Sequence, residues 1–245
     1  MGYQEKFSLW ASGFSGCDGG DLGSPESPSI WVCGIEWGGE LSYDWLKNEL
    51  DNYCDQSLPS KGYTSEDENT AYRYNVNTVK LLCSIDGSDA SNYRDFSIKK
   101  RPFVSGSTGY FKMNLYPIRF KGHSTDRWAV WINELTGFSN KMEYHNWCRK
   151  NRFKLFRKLT EIHRPKLVLC FGKSYINDFR SAFCSDNEEW LHEPIEHRTL
   201  SWVRTKNTVV AVCPFPTSPY GLNSNLLLNS FGKRIREIMK TRYAT

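Results

Sequence analysis

The sequence predicts an α/β fold of three layers, α/β/α, with a central and mostly parallel four-stranded sheet. Two observations carry this. Three short runs, Ile30–Ile35 (IWVCGI), Lys166–Phe171 (KLVLCF) and Thr208–Val212 (TVVAV), are continuously apolar and β-branched. Such runs mark strands buried on both faces of a parallel sheet, where an alternating run would leave one face in water. Segments with helical periodicity alternate with them, as layered α/β structures require.

The elements follow in order. Residues 1–29 read as a loop region, with 12–29 rich in Gly, Ser and Pro. After the first strand, residues 40–100 read as an insertion away from the sheet. It carries helices near Tyr43–Tyr53 and Tyr72–Leu82 and polar stretches at 55–70 and 86–95. A further strand is expected at Lys112–Leu115. Asn151–Ile162 places Phe153, Phe156, Leu159 and Ile162 on one helical face. Ser174–Phe183 reads as helix, and Asn225–Lys240 repeats the helical spacing with Leu227, Leu228, Phe231, Ile235 and Ile238. No internal repeat is visible, and residues 1–245 read as one domain.

Composition bounds the function classes. Apolar residues make up 39% and charged residues 24% of the 245, which suits a water-soluble protein with a real core. Nine Trp, thirteen Tyr and fourteen Phe supply rings for that core and for base stacking. The net charge of +5 fits a phosphate-bearing partner. Residues 149–166 hold Arg149, Lys150, Arg152, Lys154, Arg157, Lys158, Arg164 and Lys166 against Glu161 alone. That run reads either as the solvated face of an amphipathic helix or as a DNA contact. No apolar run approaches membrane-spanning length and no signal-peptide core is present, so a cytoplasmic, monomeric protein without a membrane partner is expected. The cysteines at 17, 33, 54, 83, 148, 170, 184 and 213 form no CxxC pair, so neither metal nor cofactor is expected. Two tempting motifs fail. Lys173-Ser174 lacks the upstream P-loop glycine, Leu167 standing in its place. His192–His197 (HEPIEH) is not HExxH, and Pro194 would break a zinc-binding helix.

Open parallel sheets bind ligands beyond the carboxyl ends of their strands. Here those ends run into Glu36-Trp37-Gly38-Gly39, Asn114 with Tyr116-Pro117, Gly172-Lys173-Ser174, and Cys213–Gly221 (CPFPTSPYG). A carboxylate, an amide and Gly- and Pro-shaped backbone would meet on one rim.

These loops resemble, in order, the motifs of the uracil-DNA glycosylase superfamily. Gly34–Gly39 (GIEWGG) is similar to its first strand-end motif. Arg101–Gly109 (RPFVSGSTG) looks like the PFVG stretch of its thermophilic branch, followed by a strand with Asn114. Val212–Leu222, leading towards Phe231, looks like the second motif and its last helix. The resemblance implies a monofunctional DNA glycosylase that hydrolyses the N-glycosidic bond of a flipped-out base and leaves an abasic site. The alternative is a DNA-binding protein of the same fold without catalysis.

The roles that the resemblance implies fall on particular residues. Glu36 takes the place of the water-activating carboxylate, which also offsets positive charge on the sugar. Its other reading is a loop carboxylate that caps a helix or pairs with a lysine. Phe103 takes the place of the stacking ring, or is an ordinary core Phe. Asn114 reads the base edge with an amide that both donates and accepts, or closes a turn. Ile35, Trp37 and Gly38 complete the base site. Cys213 stands where the family carries a His, a departure that puts ordinary uracil chemistry in doubt. Gly38 stands where enzymes strict for uracil block the C5 side with a Tyr, so the expected substrate is a 5-substituted pyrimidine. Thr217 and Ser218 are expected on phosphates and Tyr220 or Leu222 as the wedge in the base stack. Pro214 and Lys173 complete the DNA face.

Overall fold

The computed structural model describes residues 1–52, 59–120, 128–185 and 188–241. Their order is α1 (Tyr3–Ser12), β1 (Gly19–Gly20), β2 (Ile30–Gly34), α2 (Tyr43–Asp51), α3 (Glu66–Thr70), α4 (Arg73–Asp86), α5 (Tyr93–Lys100), β3 (Tyr110–Asn114), α6 (Val130–Thr136), α7 (Lys141–Lys150), α8 (Arg152–His163), β4 (Leu167–Phe171), α9 (Ile176–Phe183), β5 (Leu191–Ile195), β6 (Arg198–Arg204), β7 (Val209–Cys213) and α10 (Asn225–Lys240). The chain is α/β, and its sheet is mixed.

That sheet has seven strands in the order β1-β3-β2-β4-β7-β6-β5, where four were expected. The three apolar runs and the strand expected at Lys112–Leu115 are the central β3-β2-β4-β7, all mutually parallel and buried along their whole length. The three additions are antiparallel. They escaped the sequence because they do not share the apolar signature. β1 is two glycines, and β5 (LHEPI) is a half-exposed edge strand. Pro194 is tolerated there because an edge strand needs no donor on its outer side.

Strand residues alternate between two cores. Trp31, Cys33, Phe111, Met113, Val168, Cys170, Val210 and Val212 pack on one face with residues of α1, α2, α6, α7, α8 and α9. Ile30, Val32, Tyr110, Leu167, Leu169, Phe171, Val209, Ala211 and Cys213 pack on the other with residues of α4, α5 and α10. Both faces are therefore covered, as parallel strands demand.

Two organisational expectations are corrected. Residues 1–29 are not all loop: α1 buries Phe7, Trp10 and Ala11 in the first core. Residues 40–100 are not an excursion either. Leu46 and Leu50 of α2 belong to one core, while Val79, Leu81, Leu82, Cys83 and Ile85 of α4 build the other. α4 lies so close to α10 that a Cβ on Gly232 would stand 2.4 Å from Ser84. Tyr53, the expected end of α2, and Cys54 lie outside the described residues.

The basic run at 149–166 divides its cations between core and surface. Arg149 pairs with Asp178 at 2.6 Å, and Arg157 donates to the Ser181 carbonyl. Lys150, Lys154, Lys158, Arg164 and Lys166 are exposed. Arg152 is fully buried, and its guanidinium donates to the carbonyls of Ala11 (2.7 Å), Gly13 (2.9 Å), Ser15 and Leu115 (2.8 Å). Each buried acceptor left unpaired costs about 1–3 kcal/mol. Arg152→Met is thus expected to lower unfolding free energy by more than about 3 kcal/mol, read from the urea midpoint. Arg152→Lys is expected to recover little of it, because an ammonium lacks the planar fork that reaches several carbonyls at once.

Candidate active site at the carboxyl ends of the strands

Beyond β2 and β3 lies a cavity of about 520 Å³. Gly34–Gly38 forms one wall, Lys112 and Asn114 the floor, and Tyr63, Tyr72, Tyr74 and Asn75 a second wall. Asp18, Arg119 and Phe215 complete it. An adjoining cavity of about 490 Å³ shares Asp18, Trp37 and Tyr63 with the first.

The floor is set by strand register. Lys112 and Asn114 are two residues apart on β3 and so share a face. Gly34 pairs with Asn114, and Gly19 of β1 pairs with Lys112. Only glycine fits β1: with φ of +103°, a Cβ at Gly19 would lie 2.0 Å from the Ser60 carbonyl oxygen. This pairing delivers Asp18, the residue before it, to Lys112.

A polar cluster results. The Asp18 carboxylate lies 3.2 Å from Lys112 Nζ and accepts from Tyr63 Oη at 2.8 Å and Trp37 Nε1 at 3.2 Å. Lys112 Nζ also donates to Tyr63 Oη at 2.8 Å, to which Asn75 Nδ2 donates at 3.1 Å. Lys112 is 7% exposed and Asp18 13%. Burial holds the Lys112 ammonium below the ordinary lysine value, while Asp18 opposes that shift. Burial and the Asp18 charge push the Tyr63 phenol up.

Beside this cluster, Asn114 Nδ2 donates to the Gly16 carbonyl at 3.1 Å. A Cβ on Gly34 would stand 2.3 Å from Asn114 Oδ1 and 3.3 Å from Tyr74 Oη. Tyr74 Oη and Arg119 Nε are buried with no hydrogen-bond partner among the described residues. The rings of Tyr74 and Phe215 lie 5.4 Å apart, and Arg119 sits over Trp45 at 4.2 Å.

The expected site residues separate. Ile35, Trp37, Gly38 and Asn114 line the cavity together. Glu36 belongs to the same loop, but its side chain is 2% exposed and pairs with Lys141 of α7 at 3.1 Å, itself 2% exposed. The lysine-paired reading describes it, and its carboxylate is removed from the role of an accessible base. Phe103 is fully buried against Tyr110 in the α4 core, which corrects its placement as the stacking ring. Its backbone has another task. Tyr63 N–H donates to the Phe103 carbonyl and Ser105 N–H to the Tyr63 carbonyl, so this stretch holds Tyr63 in the wall.

Cys213 is likewise fully buried at the end of β7. Burial pushes its thiol far up, and it is a core residue rather than a catalytic one. Leu222 is fully buried in the same core and cannot act as a wedge; Pro214 is buried too. Tyr220 is 84% exposed on the same loop, Thr217 and Ser218 are half-buried, and Lys173 is exposed beside β4. That loop is clamped by Asn77 of α4, whose amide donates to the Pro216 carbonyl at 2.6 Å.

Sequence reasoning missed Asp18, Tyr63, Tyr74, Asn75, Lys112 and Arg119. One signal was available: Lys112 interrupts an apolar strand two residues before Asn114, on the face that the amide uses. Among the described residues, no group of His, Cys, Asp and Glu has the arrangement of a metal site, and no helix is long and apolar enough to cross a membrane.

No family model matches the chain, and no curated protein matches it. Fold and site alone define its class: an α/β protein with a cavity lined by polar and aromatic side chains at the carboxyl ends of parallel strands.

Tyr63→Phe removes the hydroxyl that joins Asp18, Lys112 and Asn75. The expected loss is about 1–3 kcal/mol of stability, read by denaturant unfolding. Its coupling to Asp18→Asn in a double-mutant cycle should exceed about 0.5 kcal/mol.

Proposed function

We propose that this protein is a DNA glycosylase of the uracil-DNA glycosylase type, which hydrolyses the N-glycosidic bond of a flipped-out, 5-substituted pyrimidine. The observation that carries this reading is the cavity floor. There the Asn114 amide and the Tyr74 hydroxyl, buried with no partner among the described residues, both lie close to Gly34, next to the rings of Tyr74 and Phe215. An unpaired buried hydroxyl costs about 1–3 kcal/mol, and the polar edge of a base would satisfy it. A flipped base is read in this way, by hydrogen bonds to its edge and by aromatic contact with its face. The stacking task passes from Phe103 to Tyr74 and Phe215.

The chemistry passes from Glu36 to Asp18. Departure of the base leaves positive charge on the sugar, which a fixed carboxylate offsets. Asp18 is held for that by Trp37, Tyr63 and Lys112. Arg119 lines the same cavity with an Nε–H that has no partner among the described residues, and it stands in for the family His towards the departing base. Gly38 supports the 5-substituted substrate, since a Cβ there meets nothing within 4 Å. The exposed Tyr220 fits the wedge, and Thr217, Ser218 and Lys173 fit phosphate contacts.

A second reading, a DNA-binding protein of this fold without catalysis, is favoured by the burial of both Glu36 and Cys213. An abasic-site assay decides between them. Oligonucleotides carrying uracil, mismatched thymine or 5-modified cytosines are incubated with the protein and treated with alkali. Strand breaks are expected, falling at least about 100-fold in Asp18→Asn with DNA binding retained. Intact strands across the panel, despite salt-dependent DNA binding, would leave the binding protein. Gly38→Tyr is expected to abolish breaks at 5-substituted bases, and unchanged activity there would refute the substrate assignment.

A further inference from the structure

Lys112 brings a primary amine to the floor of the cavity assigned above to the target nucleotide. We propose that this amine forms an imine with C1′ of the abasic deoxyribose left by base removal and cuts the strand by β-elimination, an inference that rests on the glycosylase reading and departs from the monofunctional hydrolysis that the resemblance implies.

The contrast with the other buried lysine supports this. Lys141 is 2% exposed, pairs with Glu36 at 3.1 Å, stands 3.9 Å from the Phe120 ring centroid and lines neither cavity described above. Those surroundings describe a structural ion pair. Lys112 is also buried and paired, yet it lines the cavity together with its partner Asp18 and with Tyr63, Tyr74 and Asn114. Its Nζ lies 5.2 and 5.5 Å from the rings of Tyr63 and Tyr74. A buried ion pair adds little stability over apolar residues of the same size. Pairing alone therefore does not tell the two lysines apart; what does is that Lys112 lines the cavity and Lys141 does not. Burial also favours the neutral amine, the form in which a lysine is a nucleophile.

The step balances without an oxidant or reductant. Asp18, 3.2 Å away, accepts the proton that frees the Nζ lone pair. The amine adds to the open-chain aldehyde at C1′ to give a carbinolamine; Asp18 returns its proton to the hydroxyl, which leaves as water, and a protonated imine remains. That cation acidifies C2′–H. Loss of this proton to water forms the C1′–C2′ enamine, and its electrons expel the 3′-phosphate as the C3′–O bond breaks. Hydrolysis of the conjugated imine then returns Lys112 and releases the unsaturated aldehyde terminus.

Borohydride trapping tests the proposal. An oligonucleotide with a preformed abasic site removes any need to know the base. Its binding to the full chain is measured first, and sodium borohydride is then added to reduce the imine to a stable amine. A covalent protein–DNA adduct is expected, with its mass shift mapped by proteolysis to Lys112. Lys112→Arg, which keeps the charge and cannot form an imine, is expected to lose the adduct while circular dichroism shows the wild-type fold. Binding of abasic DNA without an adduct, or an adduct mapped to another amine, overturns the imine and leaves the glycosylase reading standing. Failure to bind abasic DNA at all overturns that reading, and the imine with it.

Discussion

The site depends on one buried guanidinium. Arg152 opens α8 and reaches under the sheet edge to the carbonyls of residues 11, 13 and 15 on one side and of Leu115 on the other. It thereby ties the turn after α1 to the end of β3. That turn carries Gly16, whose carbonyl orients Asn114, and then Asp18, which reaches Lys112. Arginine suits the position because its charge is held by many backbone dipoles at once, in a fixed planar fork. A cation whose run read as a solvated face or a DNA contact is the tie between two chain segments about 100 residues apart.

Around this tie the protein holds two lysine–carboxylate pairs in its interior with opposite consequences. Glu36–Lys141 is closed off from solvent, with its lysine outside the cavity, and joins the loop after β2 to α7. Asp18–Lys112 lies in the cavity wall and is extended by Tyr63, Asn75 and Trp37 into a connected network. Taking charges out of water is costly, and only good geometry and further hydrogen bonds offset it. The second network meets that cost next to solvent-reachable space, where its groups can act on a ligand. The same contrast shifts the proposed chemistry from the first motif's carboxylate to one that no motif contains.

The residues also explain which predictions were within reach. The four central strands and the helices at 152–163, 176–183 and 225–240 carried their periodicity in short windows, so their ends differ from expectation by at most two residues. Phe103 and Leu222 were placed by motif order, yet an apolar side chain beside a cavity and one a few ångströms deeper have the same sequence signature. Gly38 and Asn114 do line the cavity, as glycine and a strand-end amide are selected by backbone geometry and polarity, which local sequence encodes. Tyr63 sits in a polar stretch and Tyr74 in an expected helix of what reads as an insertion away from the sheet, until α4 is seen to form part of a layer.

By itself, the sequence determined the α/β class, the parallel central strands and the rim on which a ligand would sit. Those follow from hydrophobic patterning and strand-end punctuation, both of which act over a few residues. Tertiary structure alone decided which carboxylate faces the cavity, which rings wall it, and that Lys112 meets Asp18. Those outcomes depend on the pairing of Gly19 with Lys112 across more than ninety residues and on a buried arginine that selects its carbonyls in space. Long-range register and burial are properties of the packed chain, and no local pattern of residue types specifies them.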